Sequence, residues 1–167
     1  MTITLAIDPG VRALGWSVGY EGILVQCGVS RVRDVYTLDQ ASRTHADRIR
    51  AAIAYSDLAV VESMRWRPRD ARSNPNDLID VQTVGILTAH YAHSRDILPV
   101  EPVDWKSNLP KAIHHARICA ALDAGERAIL DAALASAPAT NAKEILDAVG
   151  ILIHNQGRID RSGKAMR

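Results

Sequence analysis

LAIDPGVRALGW, residues 5–16, is an apolar run that stops at Asp8, turns through Pro9-Gly10 and resumes as a second apolar run. Asp-Pro-Gly is ordinary turn chemistry. A carboxylate at a strand end, with glycines at 10 and 15, would also let a phosphate or a metal come close to the backbone. The turn alone does not choose between these readings. What the rest of the chain can set beside Asp8 decides.

Upstream of the turn, ITLAID is a short strand with both faces apolar, as a central strand requires. Downstream, ALGWSVGY and ILVQCGVSRV, parted at Glu21-Gly22, read as the second and third strands of an antiparallel meander. Residues 38–54 place Leu38, Ala41, Ala46, Ile49 and Ile53 at helical spacing, with Asp39 early in the helix. DLAVVE then repeats the opening pattern, an apolar strand ending on a carboxylate, Glu62.

Ser63 to Asn74 is a polar, Arg-rich loop with Pro68 inside it and Pro75 just after it. PNDLIDVQTVGILTAHYAHS predicts a long helix with Asn74 or Asn76 near its cap. DILPVEPVDW holds a short fifth strand, followed by a loop with Trp105, Lys106 and Lys111. Two or three helices close the chain, over about 111–123, 126–136 and 141–156. The order βββαβαβα with extra helices predicts mixed α/β architecture. A single domain spans 1–157, followed by a loose basic tail, 158–167, with no internal repeat.

Bulk properties narrow the function. A chain of 167 residues supports one domain with a proper core and is too short for two large lobes. No apolar stretch is long enough to cross a bilayer, and MTITLAID reads as a strand rather than a signal peptide. Cys27 and Cys119 sit singly in apolar segments and are expected as buried free thiols, which suits a reducing, cytoplasmic setting. A net charge of +1 gives no global nucleic-acid signature. The distribution is uneven, however. MRWRPRDARS carries Arg65, Arg67, Arg69 and Arg72 against Asp70, and GRIDRSGKAMR carries Arg158, Arg161, Lys164 and Arg167 against Asp160. Such clusters can bind phosphates, although a charged loop is more often simply solvated.

The chemistry that Asp8 and Glu62 suggest is two-metal phosphodiester hydrolysis. Two divalent cations about 4 Å apart need several carboxylates converging on one spot. Magnesium takes oxygen ligands and keeps some waters, so three or four acids suffice. If the two apolar strands lie side by side, Asp8 and Glu62 meet at one edge of the sheet. On NAKEILDAVGILIHN, Ala142, Ile145, Leu146, Val149, Leu152 and Ile153 share one helical face, and Glu144 and Asp147 are neighbours on another. The tetrapeptide ILDA occurs at 129–132 and again at 145–148. Asp131 has Arg127 four residues before it and reads as a surface ion pair. Asp147 has Glu144 three residues before it, an unfavourable neighbour unless a cation lies between them. Asp147 is therefore the candidate.

Asp8-Pro-Gly with Gly15 on a first hairpin, Glu62 closing VVE, and an acid pair on the last helix resemble the RuvC-type Holliday junction resolvases of the RNase H-like, retroviral integrase superfamily. The resemblance runs from about residue 3 to 156, and NPNDLIDVQTVGIL and WKSNLPKAI resemble segments of the phage-type members. It implies an RNase H-like fold with a mixed five-stranded sheet, an antiparallel meander plus parallel strands, flanked by helices. The implied metal ligands are Asp8, Glu62, Glu144 and Asp147, with Glu144 where bacterial members usually carry Asp. Lys106 and Lys111 match lysines that contact the scissile phosphate in relatives. Arg65, Trp66, Arg67, Arg69 and Arg72 match the junction-binding loop, Trp66 being the nearest substitute for its stacking aromatic. His90, His93, His114 and His115 have no cysteine pair to make a zinc site, and His154 is placed to support Asp147 or simply to pack.

The resemblance implies a magnesium-dependent endonuclease, with manganese as a substitute, that resolves four-way DNA junctions by paired symmetric nicks. It also implies a homodimer with two-fold symmetry, for which the long helix over 75–92 is the candidate interface. Two rivals stand beside this reading. One is another RNase H-like nuclease acting on ribosomal RNA precursors or flaps; the other is a junction-binding module without catalysis. A sugar-kinase or actin-like reading of the first hairpin fails for lack of a second lobe.

Overall fold

The computed structural model describes residues 1–34, 37–63, 75–106 and 110–160. Its centre is a five-stranded mixed sheet in the order β3-β2-β1-β4-β5. The strands are β1 (Ile3–Asp8), β2 (Ala13–Tyr20), β3 (Ile23–Arg31), β4 (Ser56–Glu62) and β5 (Ser94–Val100). The first three form the antiparallel meander, whose tight turn takes positive φ at Glu21 and Gly22. β4 then joins β1 in parallel, and β5 joins β4 in parallel. The largely apolar β1 is the central strand, with β2 and β4 on either side of it, as its composition predicts.

Side-chain alternation divides the core into two layers. Leu5, Ile7, Ala59 and Val61 face α1 (Leu38–Arg50) and α2 (Pro75–Tyr91), meeting Ala46, Ile49, Val84 and Ala89. Ala6 and Val60 face the opposite way, into a cluster with Ile145, Val149 and Leu152 of α6 (Ala142–Asn155). α3 (Pro102–Trp105) and α4 (Lys111–Ala121) lie against α6, and α5 (Ala124–Ser136) packs on β3 beside it; they supply Trp105, Ile118 and Leu130 to that cluster. α6 is thus covered on more than one side and is buried over nearly all of Ile145–Ile153.

Three expectations change. The segment expected as a loop after β5 contains α3, because Glu101 and Asp104 form a capping box around a proline-initiated turn. Arg158 and Ile159, expected in a loose tail, are held. Ile159 is buried, and Arg158 donates at 2.6 Å to Glu126 and to the Ala121 carbonyl. Cys27 is buried and Cys119 half-buried, both as free thiols, and burial pushes the Cys27 thiol up to about 12. No helix among the described residues is long and apolar enough to cross a membrane.

Candidate active site

The sheet register sets two carboxylates side by side. Ile7 pairs with Val61 across the parallel β1–β4 ladder, so Asp8 and Glu62 are the next residues on adjacent strands. Alternation puts Asp8 on the face of Ala6, and Glu62 on the face of Val60, which is the face that α6 covers. On the other side of β1, Asp8 pairs with Gly15 and Ala6 with Ser17.

Those partners explain how close α6 comes. The Ser17 hydroxyl donates to the Ala148 carbonyl at 2.9 Å, and a Cβ on Gly15 would stand 2.0 Å from the Glu144 carbonyl oxygen. Gly15 therefore admits the helix backbone, not the metal or phosphate that the sequence suggested. Gly10 serves the turn in the same way, since a Cβ there would meet the Ala13 carbonyl at 2.1 Å. The first turns of α6 are thereby held against the end of β1, with Glu144 and Asp147 above Asp8 and Glu62.

Asp147 and Glu62 are both buried. His115 Nε2 donates to Asp147 Oδ1 at 2.8 Å, and Lys111 Nζ lies 3.1 Å from Oδ2. Lys111 and His115 are one turn apart on α4, so one helix face grips both oxygens. Lys106, just beyond α3, reaches 2.7 Å from Glu62 Oε1 and 3.8 Å from Asp147 Oδ2. Burial pushes the Asp147 carboxyl up, but the His115 hydrogen bond and the two ammonium groups outweigh it and hold the group at about 2.

Asp8 behaves in the opposite way. It keeps some accessible surface, yet protein crowds it closely enough that lost hydration raises its affinity for a proton well above the usual carboxylate range. The Glu62 carboxylate beside it adds to the rise, and Asp147 adds further. Lys106 opposes the shift without reversing it. Lys106 is itself pushed down by burial but held up, on balance, by Glu62, Asp147 and Asp8.

Several acid oxygens have no hydrogen bond. Oε2 of Glu62 and Oε2 of Glu144 are buried without a donor, while Glu62 Oε1 has the Lys106 ammonium 2.7 Å away. Glu144 Oε1 lies 3.6 Å from Lys143 Nζ. Among the described residues, no three such groups are drawn together as tightly as one metal's ligand shell. The Lys106 ammonium takes the middle ground, a cation of the protein's own. Orphaned carboxylate oxygens around a single positive charge fit a hard divalent cation such as magnesium or manganese.

Other sequence candidates fall elsewhere. Arg65, Trp66, Arg67, Arg69 and Arg72 lie outside the described residues. Arg127 Nε donates to Asp131 at 3.0 Å on the exposed side of α5, far from the acid group in role and burial. His154 faces the Ile159 carbonyl at 3.2 Å and closes the end of α6, with no contact to Asp147. His114 packs on the Trp105 ring and is pushed down to about 4 by burial. His90 and His93 are exposed.

Two residues went unread in the sequence. His115 was grouped with its neighbour as a histidine pair, although its spacing of four from Lys111 marks the shared face. His45 is wholly buried on α1. Its Nδ1 accepts from the Ser30 hydroxyl at 2.8 Å and its Nε2 donates to the Val11 carbonyl at 3.1 Å. It thereby braces the turn that follows Asp8.

A mixed sheet in this order, with acids at the ends of the adjacent strands β1 and β4 and on the covering helix, has the fold of the RuvC-type resolvases. Thermus thermophilus RuvC, in complex with a Holliday junction substrate, is similar over 93% of this chain and 94% of its own, at 15% identity and a TM-score of 0.53. The yeast mitochondrial Holliday junction resolvase Ydc2 is similar over 92% of this chain and 78% of its own, at 15% identity and a TM-score of 0.56. At such identities the likeness is one of fold. No protein-family model matches the sequence, and comparison with curated proteins gives no match.

Proposed function

We propose that the protein is a divalent-metal-dependent endonuclease that cuts four-way DNA junctions. The observation that carries this reading is the grouping of Asp8, Glu62 and Asp147 about the Lys106 ammonium, with buried oxygens of Glu62 and Glu144 left without donors. A fold shared with two junction resolvases supports the substrate class. Asp8, Glu62, Glu144 and Asp147 would hold magnesium, with manganese as a substitute. When bound, the metal supplies Lewis-acid activation of water and charge neutralisation at the leaving oxygen.

The chain's own residues do the rest. His115 and Lys111 fix the rotamer of Asp147 and keep it ionised. Burial and the neighbouring Glu62 carboxylate raise the proton affinity of Asp8, so Asp8 would give up that proton as the site takes up a cation. Lys106 and Lys111 bring ammonium groups to the place where a scissile phosphate would sit. The Arg-rich loop with Arg65, Trp66, Arg67, Arg69 and Arg72 would engage the junction centre, a stacked base on Trp66 contributing about 1–3 kcal/mol. Paired symmetric nicks require two such sites, hence a two-fold homodimer, with α2 as its interface.

The test is cleavage of a labelled mobile junction, a flap and an RNA–DNA hybrid in magnesium. Symmetric nicks in the junction support the reading, and cleavage of the hybrid alone overturns it. Asp8→Asn should abolish nicking and leave junction binding intact. Asp131→Asn is the matched control and should nick at the normal rate.

A further inference from the structure

A second feature lies on the far side of the Asp8 turn. An open groove of about 1020 Å³ runs between the end of the meander, one face of α1 and the turn before α6. Arg12, Arg31, Arg33 and Arg48 line it, with Thr44 and Asn141 between them. Val32 donates its backbone N–H to the Arg12 carbonyl at 2.9 Å, and Ala13 pairs with Arg31. The chain before β2 and the chain after β3 thus bring three of these arginines into one short stretch. Thr44 and Arg48, one turn apart on α1, supply the facing wall. The groove continues past Arg31 and Arg48 into a smaller hollow of about 410 Å³ along β3.

The charge there is unbalanced. Arg43, Arg50, Arg95, Arg127 and Arg158 each form an ion pair with an acid. Among the described residues, the four groove arginines form none, and Asp34 is the one acid in the lining. All four are exposed. Like charges gathered in a concave surface repel one another, so the arrangement favours an anionic occupant. The groove is open and polar, unlike the enclosed apolar pocket that a small ligand fills. Guanidinium groups on both walls suit a row of phosphates.

The groove and the acid cluster share structural parts. Arg12 follows Asp8 on the same turn, which His45 braces through Val11. Asn141 immediately precedes α6, which carries Glu144 and Asp147. A phosphodiester strand leaving the acids over this turn would pass directly into the groove.

We propose that the Arg12–Arg31–Arg33–Arg48 groove is a second phosphate track, which holds the backbone of a duplex DNA arm outside the acid site. This rests on the junction-nuclease reading. It adds that affinity depends on arm length as well as on the branch point. Four arginines on phosphates would contribute about four units to the slope of log affinity against log salt.

The experiment measures binding of junctions with long and with short arms, in calcium, across a salt series, for the wild type and for Arg31→Ala/Arg48→Ala. The expected result is weaker binding of the long-armed junction by roughly tenfold or more, with a salt slope shallower by about two. Short-armed binding and the magnesium-dependent nicking rate of that bound junction should stay as in the wild type. The charge-retaining Arg31→Lys/Arg48→Lys variant should recover most of the slope. An unchanged slope in a wild type that does nick junctions would overturn the groove alone. An equal loss on both arm lengths would also overturn it, because the arginines would then act at the branch point. A wild type that neither binds nor nicks branched DNA would overturn both readings.

Discussion

The Lys106 ammonium stands 2.7 Å from Glu62 Oε1 and 3.8 Å from Asp147 Oδ2, so one lysine answers acids from a strand and from a helix. Its removal leaves the buried Glu62 carboxylate without a counter-charge, which costs about 3 kcal/mol. Lys106→Ala should therefore melt at a lower temperature in chelator. It should also bind magnesium or calcium more tightly than the wild type, because no ammonium of the protein's own then stands between Glu62 and Asp147. Titration calorimetry with calcium and thermal melts with and without magnesium check this. An unchanged calcium affinity would show that the ammonium and the metal do not share a place.

Asp8 gives a prediction of opposite sign. Its folded-state affinity for protons is raised, so its contribution to stability is present below the unfolded value of 3.8 and is lost as pH rises through the higher folded value. Once ionised, the side chain opposes folding. Asp8→Asn should raise the metal-free melting temperature by about 3 °C while removing most of the rise that magnesium produces in the wild type. A melting temperature below that of the wild type in chelator would count against the crowded-carboxylate account.

Asp147 works the other way. Held at about 2, it contributes stability that is fully present above pH 3.8 and is lost as pH falls through about 2. Denaturant titrations of the wild type between pH 4 and pH 2 should show a steeper loss than the same series on Asp147→Asn. The double variant His115→Ala/Lys111→Ala should shift the wild-type loss to higher pH, since both donors favour the charged form. Parallel curves for all three proteins would refute this.

Gly15→Ala is predicted to be among the most damaging small changes in the chain. The added methyl would lie 2.0 Å from the Glu144 carbonyl oxygen, a backbone atom that cannot swing aside. A stability loss of about 3 kcal/mol is expected, and any folded remainder should bind magnesium poorly because α6 is displaced from the strand ends. Near-normal melting with normal nicking would mean that the helix can withdraw at little cost.

Much of this was legible in the chain itself. Two apolar strands that both end on acids predict a shared edge, and the parallel register of Ile7 with Val61 produces it. The repeated ILDA could be resolved from i−3 and i−4 neighbours alone, and Asp131 does pair with Arg127. What escaped reading was long-range. Gly15, Ser17 and Gly19 alternate along β2, a pattern that marks a strand face approached closely by backbone, yet nothing local says which element approaches. Nothing local marks His115 or His45, because their partners, Asp147 and Val11, lie 32 and 34 residues away. Arg158 looked like tail because its acid, Glu126, sits on a helix that carries its own capping box.

The contact between Ser17 and Ala148 spans 131 positions. Every route from the Asp8 turn to Asp147 crosses that span, so the acid group belongs to no local unit of the chain. During synthesis the sheet and its α1–α2 layer are complete while α6 has yet to emerge, and the nascent protein holds Asp8 and Glu62 with nothing above them. A nuclease of the kind proposed would thus be born inert, and become competent only when α6 closes over the strand ends.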